Sequence, residues 1–266
     1  MSNIISFSLY GDNPLYCEGA LKNAVLARDL YPGWRCRFYF GDSVPGRYLR
    51  ELERCQSEMI PVKKTLGLHY GRYWRFWVAS DPSAERFVVR DVDSRLNPRE
   101  RAAVDEWIKS GRSFHIMRDS FYHRRRVLSG MWGGVAGRLP NIGDLIDGWA
   151  NYDRVGQNDQ FMSEVIFPLM GNDYLCHDSI RFYDDATPFP PHAHLNGTSY
   201  VGEIVPAEPP SIDMWRRIAE LEDQRLLAVE KLSDCQARLD GVLASASWRL
   251  TSPLRKLKGS LRSLKR

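Results

Sequence analysis

The chain has 266 residues, 43% of them hydrophobic and 26% charged, with a formal net charge of +4. That is enough apolar material to pack a core in one large or two small domains, and it excludes a disordered or fibrous chain. Five cysteines without a C-x-x-C pair argue against a disulfide framework or a zinc site, and no apolar run approaches the roughly 18 residues that a bilayer span needs.

Ile4 to Leu9 reads as a buried first strand, ended by Gly11-Asp12-Asn13-Pro14. Leu15 to Leu30 has helical spacing and stops at Tyr31-Pro32-Gly33. Cys36 to Phe40 is a second strand, Val44 to Glu53 a short helix, and Met59 to Val62 a weaker third strand. Tyr70 to Ala79 is helical and rich in aromatics. Phe87 to Val89 is a fourth strand. Pro98 opens the next helix, which Gly111 ends, and Phe114 to Met117 is another strand. A glycine-rich stretch around Trp132 follows, then helices over 141–150 and 157–170, and a short strand from Tyr174. Strands alternating with helices predict a mainly parallel sheet with helices on both faces, a Rossmann-like α/β fold. No G-x-G-x-x-G follows the first strand, which disfavours a dinucleotide dehydrogenase.

Residues 184–210 are proline-rich and read as a loop wrapping back over the domain, or as a linker. From Ile212 to about Leu243 apolar residues recur at threes and fours amid charges, an amphipathic helix or short coiled coil through which the chain could self-associate. The expected organisation is an α/β domain over 1–205, a helical extension over 206–244 and a basic tail over 245–266. That tail carries Arg249, Arg255, Lys256, Lys258, Arg262, Lys265 and Arg266, and no acidic residue follows Arg249. Leucines interleave with these cations, a composition that lies on anionic membranes, binds nucleic acid or stays disordered. The start of the chain has no charged leader. The expected setting is therefore the cytoplasm.

The stretch Phe87-Val88-Val89-Arg90-Asp91-Val92-Asp93-Ser94 carries the most chemistry. Side chains two apart on a strand share a face, and ligands of open α/β sheets bind at strand ends. Asp91 and Asp93 would thus present two hard oxygen donors suited to Mg²⁺ or Mn²⁺ bound with phosphate. The plainer alternative is a strand terminus followed by an aspartate turn. Arg72 and Arg75 share a helix face and suit phosphate; a solvated basic face is the alternative. Ser8, Tyr10 and Tyr16 cluster around the end of the first strand. His69, His115 and His123 have no motif context and read as structural or exposed.

The order of these pieces resembles a GT-A fold glycosyltransferase, nearest to the glycogenin-like and bacterial galactosyltransferase group. Tyr70-Gly71-Arg72-Tyr73-Trp74-Arg75-Phe76 followed by the aspartate pair is similar to that group's arginine helix and D-x-D strand. Ser129-Gly130-Met131-Trp132-Gly133-Gly134 resembles its small-residue segment against the donor sugar, and Asp159-Gln160 its D-Q pair. His194-x-x-Gly197 is similar to the start of its metal-binding histidine motif, with Tyr200 where a lysine is expected and Asn158 in place of an aspartate. Ser247 to Arg255 resembles a tail of bacterial surface-polysaccharide transferases; since acceptors in such assembly are often lipid-linked, the resemblance implies peripheral contact of the basic tail with the inner face of the membrane, and no nucleic-acid partner.

The resemblance implies a hexosyltransferase moving a sugar from a nucleoside diphosphate to a glycan or lipid-linked acceptor. Asp91, Asp93 and His194 would hold Mn²⁺ or Mg²⁺, with His177 as the rival third ligand. Ser8, Tyr10, Tyr16, Arg72, Arg75, Asp91, Gly130, Trp132 and Gly133 would bind the nucleotide sugar, and Asp159 and Gln160 would serve the reaction. The alternative from another class is an inactive scaffold of this fold, acting as a membrane-associated coiled-coil adaptor. A nucleotidyltransferase is a weaker third reading, since no phosphate-binding loop follows the first strand.

Overall fold

A computed structural model describes residues 2–63, 69–149, 156–191, 195, 197–206, 227 and 230–242. The chain divides into two units, Met1–Ala207 and Glu208–Arg266. In the second, residues 230–242 are helical and exposed. The rest of the amphipathic segment and the basic tail lie outside the described residues. No helix among the described residues is long and apolar enough to cross a membrane.

The first unit is built on strands β1 (Ser2–Leu9), β2 (Trp34–Phe40), β3 (Glu58–Pro61), β4 (Ala84–Arg90), β5 (Phe114–Arg118), β6 (Met131–Val135), β7 (Tyr174–Asp178) and β8 (Ala186–Thr187). They form one sheet in the order β3-β2-β1-β4-β6-β5-β7-β8. All neighbours are parallel except β6, which runs antiparallel to both β4 and β5. The chain leaves β1 for β2 on one side and returns to β4 on the other. That reversal opens a crevice at the carboxyl ends of β1 and β4, where ligands of such sheets bind.

Alternation along β1 sorts its side chains between two cores. Ile5, Phe7 and Leu9 face helices α1 (Pro14–Leu30), α2 (Gly46–Arg54) and α3 (Pro98–Ser110). Ile4 faces the opposite core with Phe87, Val89 and the aromatic residues of Tyr70–Ser80. Asn13 caps α1 by accepting from the Leu15 amide at 2.9 Å, and Asn97 caps α3 by accepting from the Glu100 amide at 3.0 Å. Gly111 ends α3 in the left-handed conformation, φ 71°. Tyr70–Ser80, expected as an ordinary helix, winds instead as tighter 3₁₀ turns. Ser6 and Ser8, on its side of β1, clamp it: Ser6 Oγ donates to the Arg75 carbonyl at 2.7 Å, and Ser8 Oγ accepts from the Arg75 amide at 3.0 Å.

Helix α4 (Ile142–Asp147) is shorter than the expected 141–150. The expected helix over 157–170 is present as α5 (Gln157–Phe161), a π turn (Met162–Ile166) and α6 (Phe167–Met170). The glycine-rich stretch forms β6, a strand absent from the sequence reading. Gly133 and Gly134 are small because β4 and β5 crowd them. A Cβ on Gly133 would stand 2.5 Å from the Phe87 carbonyl oxygen, and one on Gly134 2.9 Å from the Phe114 ring.

The loop following Gly197 wraps back over the first unit. The Val205 amide donates to the Asp93 carbonyl at 2.8 Å, and Val201 is fully buried.

Candidate active site

A cleft of about 420 Å³ opens at the carboxyl ends of β1 and β4. It gathers Ser8, Tyr10, Tyr16, Arg72, Arg75, Asp91, Asp93, Gly130 and Asp159, all singled out from the sequence. Its floor is the aspartate pair. Strand β4 ends at Arg90, so Asp91 and Asp93 sit in the turn after it, not on the strand itself. The turn is closed by Ser94 Oγ donating to the Asp91 carbonyl at 2.9 Å. The plain reading of this segment as a turn and the reading as a ligand-facing pair therefore both hold, because the turn is what aims the carboxylates into the cleft.

Burial pushes the Asp93 carboxyl up to about 6, and the negative charge of Asp91 beside it adds to the effect. A group in this state is short of positive charge. Arg75 and Arg95 oppose the shift without cancelling it. Arg90, the residue before Asp91, turns away from the aspartates into a buried ion pair with Glu100.

Arg75 departs from its expected role. It is 4% exposed, and its guanidinium donates to the Arg90 carbonyl at 3.0 Å, to Ser129 Oγ at 3.2 Å and to the Asp91 carboxylate. It fixes Asp91 and has little left to offer a phosphate. Arg72 is the freer cation, with no carboxylate partner among the described residues.

Gly130 is required for a reason the sequence does not display. The space its side chain would fill is taken by the Asp91 carboxylate, so a Cβ there would overlap Asp91 Oδ2. Gly130→Ala is expected to displace that carboxylate while leaving the sheet intact. Metal binding should weaken at least about tenfold, following the cost of disturbing a ligand's surroundings. Manganese titration beside a circular dichroism spectrum checks both halves.

Asp159 and Asn158, at the start of α5, hold the far wall. Asp159 Oδ1 accepts from the Ser129 amide at 2.8 Å, and Asn158 donates to Ser129 Oγ at 2.6 Å. Both line the cleft.

Three expected residues do not reach it. Trp132 is fully buried, its ring edge-on to Phe87 at 5.0 Å and to Phe76 at 5.9 Å. It is a core residue because β6 turns it toward the aromatic face of the sheet. Gly133 lies inside the sheet, against Phe87. Gln160 points along its helix, donating to Glu164 at 2.8 Å. His177, the rival metal ligand, is fully buried and bonded to His115 at 2.9 Å, with Glu106 at 3.5 Å. It belongs to the core and does not line the cleft. His194 lies outside the described residues.

One lining residue has no functional role in the sequence reading. His123, read as structural or exposed, is 9% exposed and forms part of the cleft wall. Its position a few residues beyond the carboxyl end of β5 is the signal that could have found it.

The two aspartates fit a divalent cation: they are hard oxygen donors, neighbours in one turn, and one is left without a full counter-charge. Among the described residues no group of three or more His, Cys, Asp or Glu side chains converges to hold a metal. A cation there would take other oxygens from elsewhere, as cations that bind through a substrate's phosphates do.

The fold and cleft define an α/β protein with a polar ligand site at the switch point of a mostly parallel sheet. No family model matches the chain. No curated protein matches it in sequence. Several solved structures resemble part of it, two transferases among them. One is a glycosyltransferase involved in the glycosylation of the major capsid of PBCV-1, 14% identical over 67% of this chain and 82% of that chain, TM-score 0.43. The other is described as a nucleotide-diphospho-sugar transferase from Desulfovibrio desulfuricans G20, 13% identical over 67% and 80%, TM-score 0.41. At those scores neither likeness bears on function, which rests on the site.

Proposed function

We propose that this chain is a metal-dependent glycosyltransferase that moves a sugar from a nucleoside-diphosphate sugar to a glycan or lipid-linked acceptor. The observation that carries this reading is the Asp91–Asp93 turn on the floor of a cleft at the switch point of the sheet. Asp91 and Asp93 would hold Mn²⁺ or Mg²⁺. Such an ion neutralises the charge that grows on a departing diphosphate.

The chain's own residues supply the rest. Arg75 locks one oxygen of Asp91, so the carboxylate is oriented before a ligand arrives. Arg72 stands free to pair with a phosphate oxygen. Tyr10 and Tyr16 offer ring faces and hydroxyls for the nucleoside. Ser8 lines the same end while holding the Arg75 amide, so its part is to shape that wall. On the opposite wall, Asp159 keeps the Ser129–Gly130 turn closed against the aspartates and presents its carboxyl to the sugar end. An anion in that place suits a hydroxyl, as a hydrogen-bond acceptor or a base.

Surface-polysaccharide assembly on the inner face of the membrane, with the basic tail as anchor, is the setting we favour, from the resemblance of Ser247 to Arg255 to tails of such transferases together with the charge pattern of residues 249–266. The test is a panel of nucleotide sugars offered to the full chain with Mn²⁺. One donor should be hydrolysed slowly and should raise the melting temperature, since a ligand of the folded state stabilises by mass action. A chain indifferent to every donor, with metal present, would refute the proposal.

A further inference from the structure

His123 is the one histidine among the described residues that lines the cleft, and the sequence reading gave it no role. Its surroundings fix its protonation state. The Asp119 backbone amide lies 3.0 Å from His123 Nδ1. A backbone N–H can only donate, so Nδ1 must present its lone pair. The ring proton then resides on Nε2. Protonating Nδ1 would set two hydrogens against each other, so the ring is held neutral. Burial acts in the same direction by disfavouring the cation, while Asp119, Asp159 and Asp178 pull the other way with net loss.

The ring is also held in place. It stands edge-on to Tyr200 at 5.4 Å. Nε2 has no hydrogen-bond partner among the described residues, and the residue lines the cleft. A fixed N–H on a cleft wall, donating to nothing in the protein, is a binding group.

Its place in the sheet says which part of a ligand it meets. Strand order puts β1 on one side of β4, and β6 and β5 on the other. Ser8, Tyr10 and Tyr16 stand on the β1 side. His123, Ser129 and Asp159 stand on the β5–β6 side, across the aspartates. If the aspartates hold a diphosphate, the β1 side takes the nucleoside and the β5–β6 side takes the sugar and acceptor. We propose that His123 is a neutral hydrogen-bond donor, through Nε2–H, to a hydroxyl oxygen at the sugar end of the ligand. This rests on the transferase reading for the identity of the ligand, but the donor state does not.

Donor state and ligand contact are tested separately. Nitrogen–proton correlation spectra of the intact chain, with His123→Gln to assign the signal, should show the Nε2–H tautomer near neutral pH. An Nδ1–H tautomer, or an imidazolium at that pH, overturns the proposal whatever the ligand proves to be.

For the contact, two variants separate the ring's two nitrogens. His123→Asn keeps an acceptor near the Nδ1 position for the Asp119 amide and removes the outer N–H. His123→Gln places an amide N–H near the position of Nε2. With the donor selected from the nucleotide-sugar panel, His123→Asn should lower kcat/KM about tenfold, the weight of one hydrogen bond to a neutral group. Affinity for the free nucleoside diphosphate with Mn²⁺ should be unchanged, and His123→Gln should recover part of the loss. Unchanged kcat/KM in His123→Asn overturns the contact, as does an equal loss of nucleoside-diphosphate binding. Should the unaltered chain bind no nucleotide sugar, the transferase reading fails, and the tautomer still decides the donor state.

Discussion

Replacing Asp93 by asparagine is expected to reduce sugar transfer, or donor hydrolysis, at least about a hundredfold, the scale set by removing one stabiliser of transition-state charge. Asp91→Asn should do the same and should also free Arg75, whose guanidinium now holds that carboxylate. The two variants differ in stability. Asp93 is a half-buried carboxyl pushed up to about 6, so in metal-free protein the folded state keeps a proton that the unfolded chain has lost. Its contribution to stability is therefore present in acid and disappears as pH rises through about 6. Asparagine carries no charge to desolvate. Asp93→Asn should melt at least as high as the unaltered protein near pH 7, and its melting temperature should fall less between about pH 4 and pH 7. Loss of activity without loss of stability would mark Asp93 as a residue kept for its ligand. Manganese should raise the melting temperature of the unaltered protein and leave Asp93→Asn unmoved.

The second large effect is structural. Arg90 and Glu100 form an ion pair in which both side chains are 2% exposed, with Nε to Oε1 at 3.1 Å, and Tyr31 donating to the same oxygen at 2.8 Å. Arg90 also donates to the Val89 carbonyl at 2.8 Å and the Trp132 carbonyl at 3.2 Å. The pair ties the end of β4, one residue before Asp91, to the first turn of α3. Glu100→Ala would leave a guanidinium buried without a counter-charge, at about 3–5 kcal/mol. For a chain with marginal net stability that is a large share of the total. Denaturant unfolding should show it, and Arg90→Met combined with Glu100→Leu should regain most of the loss, because well-packed apolar groups often replace a buried pair at little cost. If the double variant is no better than the single one, the pair does more than neutralise itself.

The parts legible in the sequence were those set by local rules. Apolar runs marked β1 and β4, alternation marked β2, and Asn97-Pro98 marked the start of α3. The acidic pair stood out because it followed an apolar strand, and its place at the end of a strand followed from that; the switch point needed the order of strands in the sheet. What was hidden depended on partners distant in the chain. β6 was invisible because Gly133 and Gly134 have weak strand propensity and are demanded by β4 and β5, which cannot be seen from the segment itself. Trp132 could be read either as a sugar platform or as a core residue, because a lone tryptophan gives no sign of which way it faces; it is the latter. Arg75 was taken for a phosphate ligand because nothing local reveals that Ser6 and Ser8 draw its backbone onto the sheet. His123 escaped because its meaning comes from a backbone amide four residues away, which is a matter of loop geometry.

The account turns on a divalent cation held by residues 91 and 93 together with a diphosphate. The direct measurement is the electron paramagnetic resonance signal of free Mn²⁺, titrated with the full chain in the presence of a nucleoside diphosphate, for the unaltered protein and for Asp93→Asn. The account predicts that the signal of free metal disappears with the unaltered chain and persists with the variant. Equal loss in both, or nucleotide bound with no metal taken up, would contradict it.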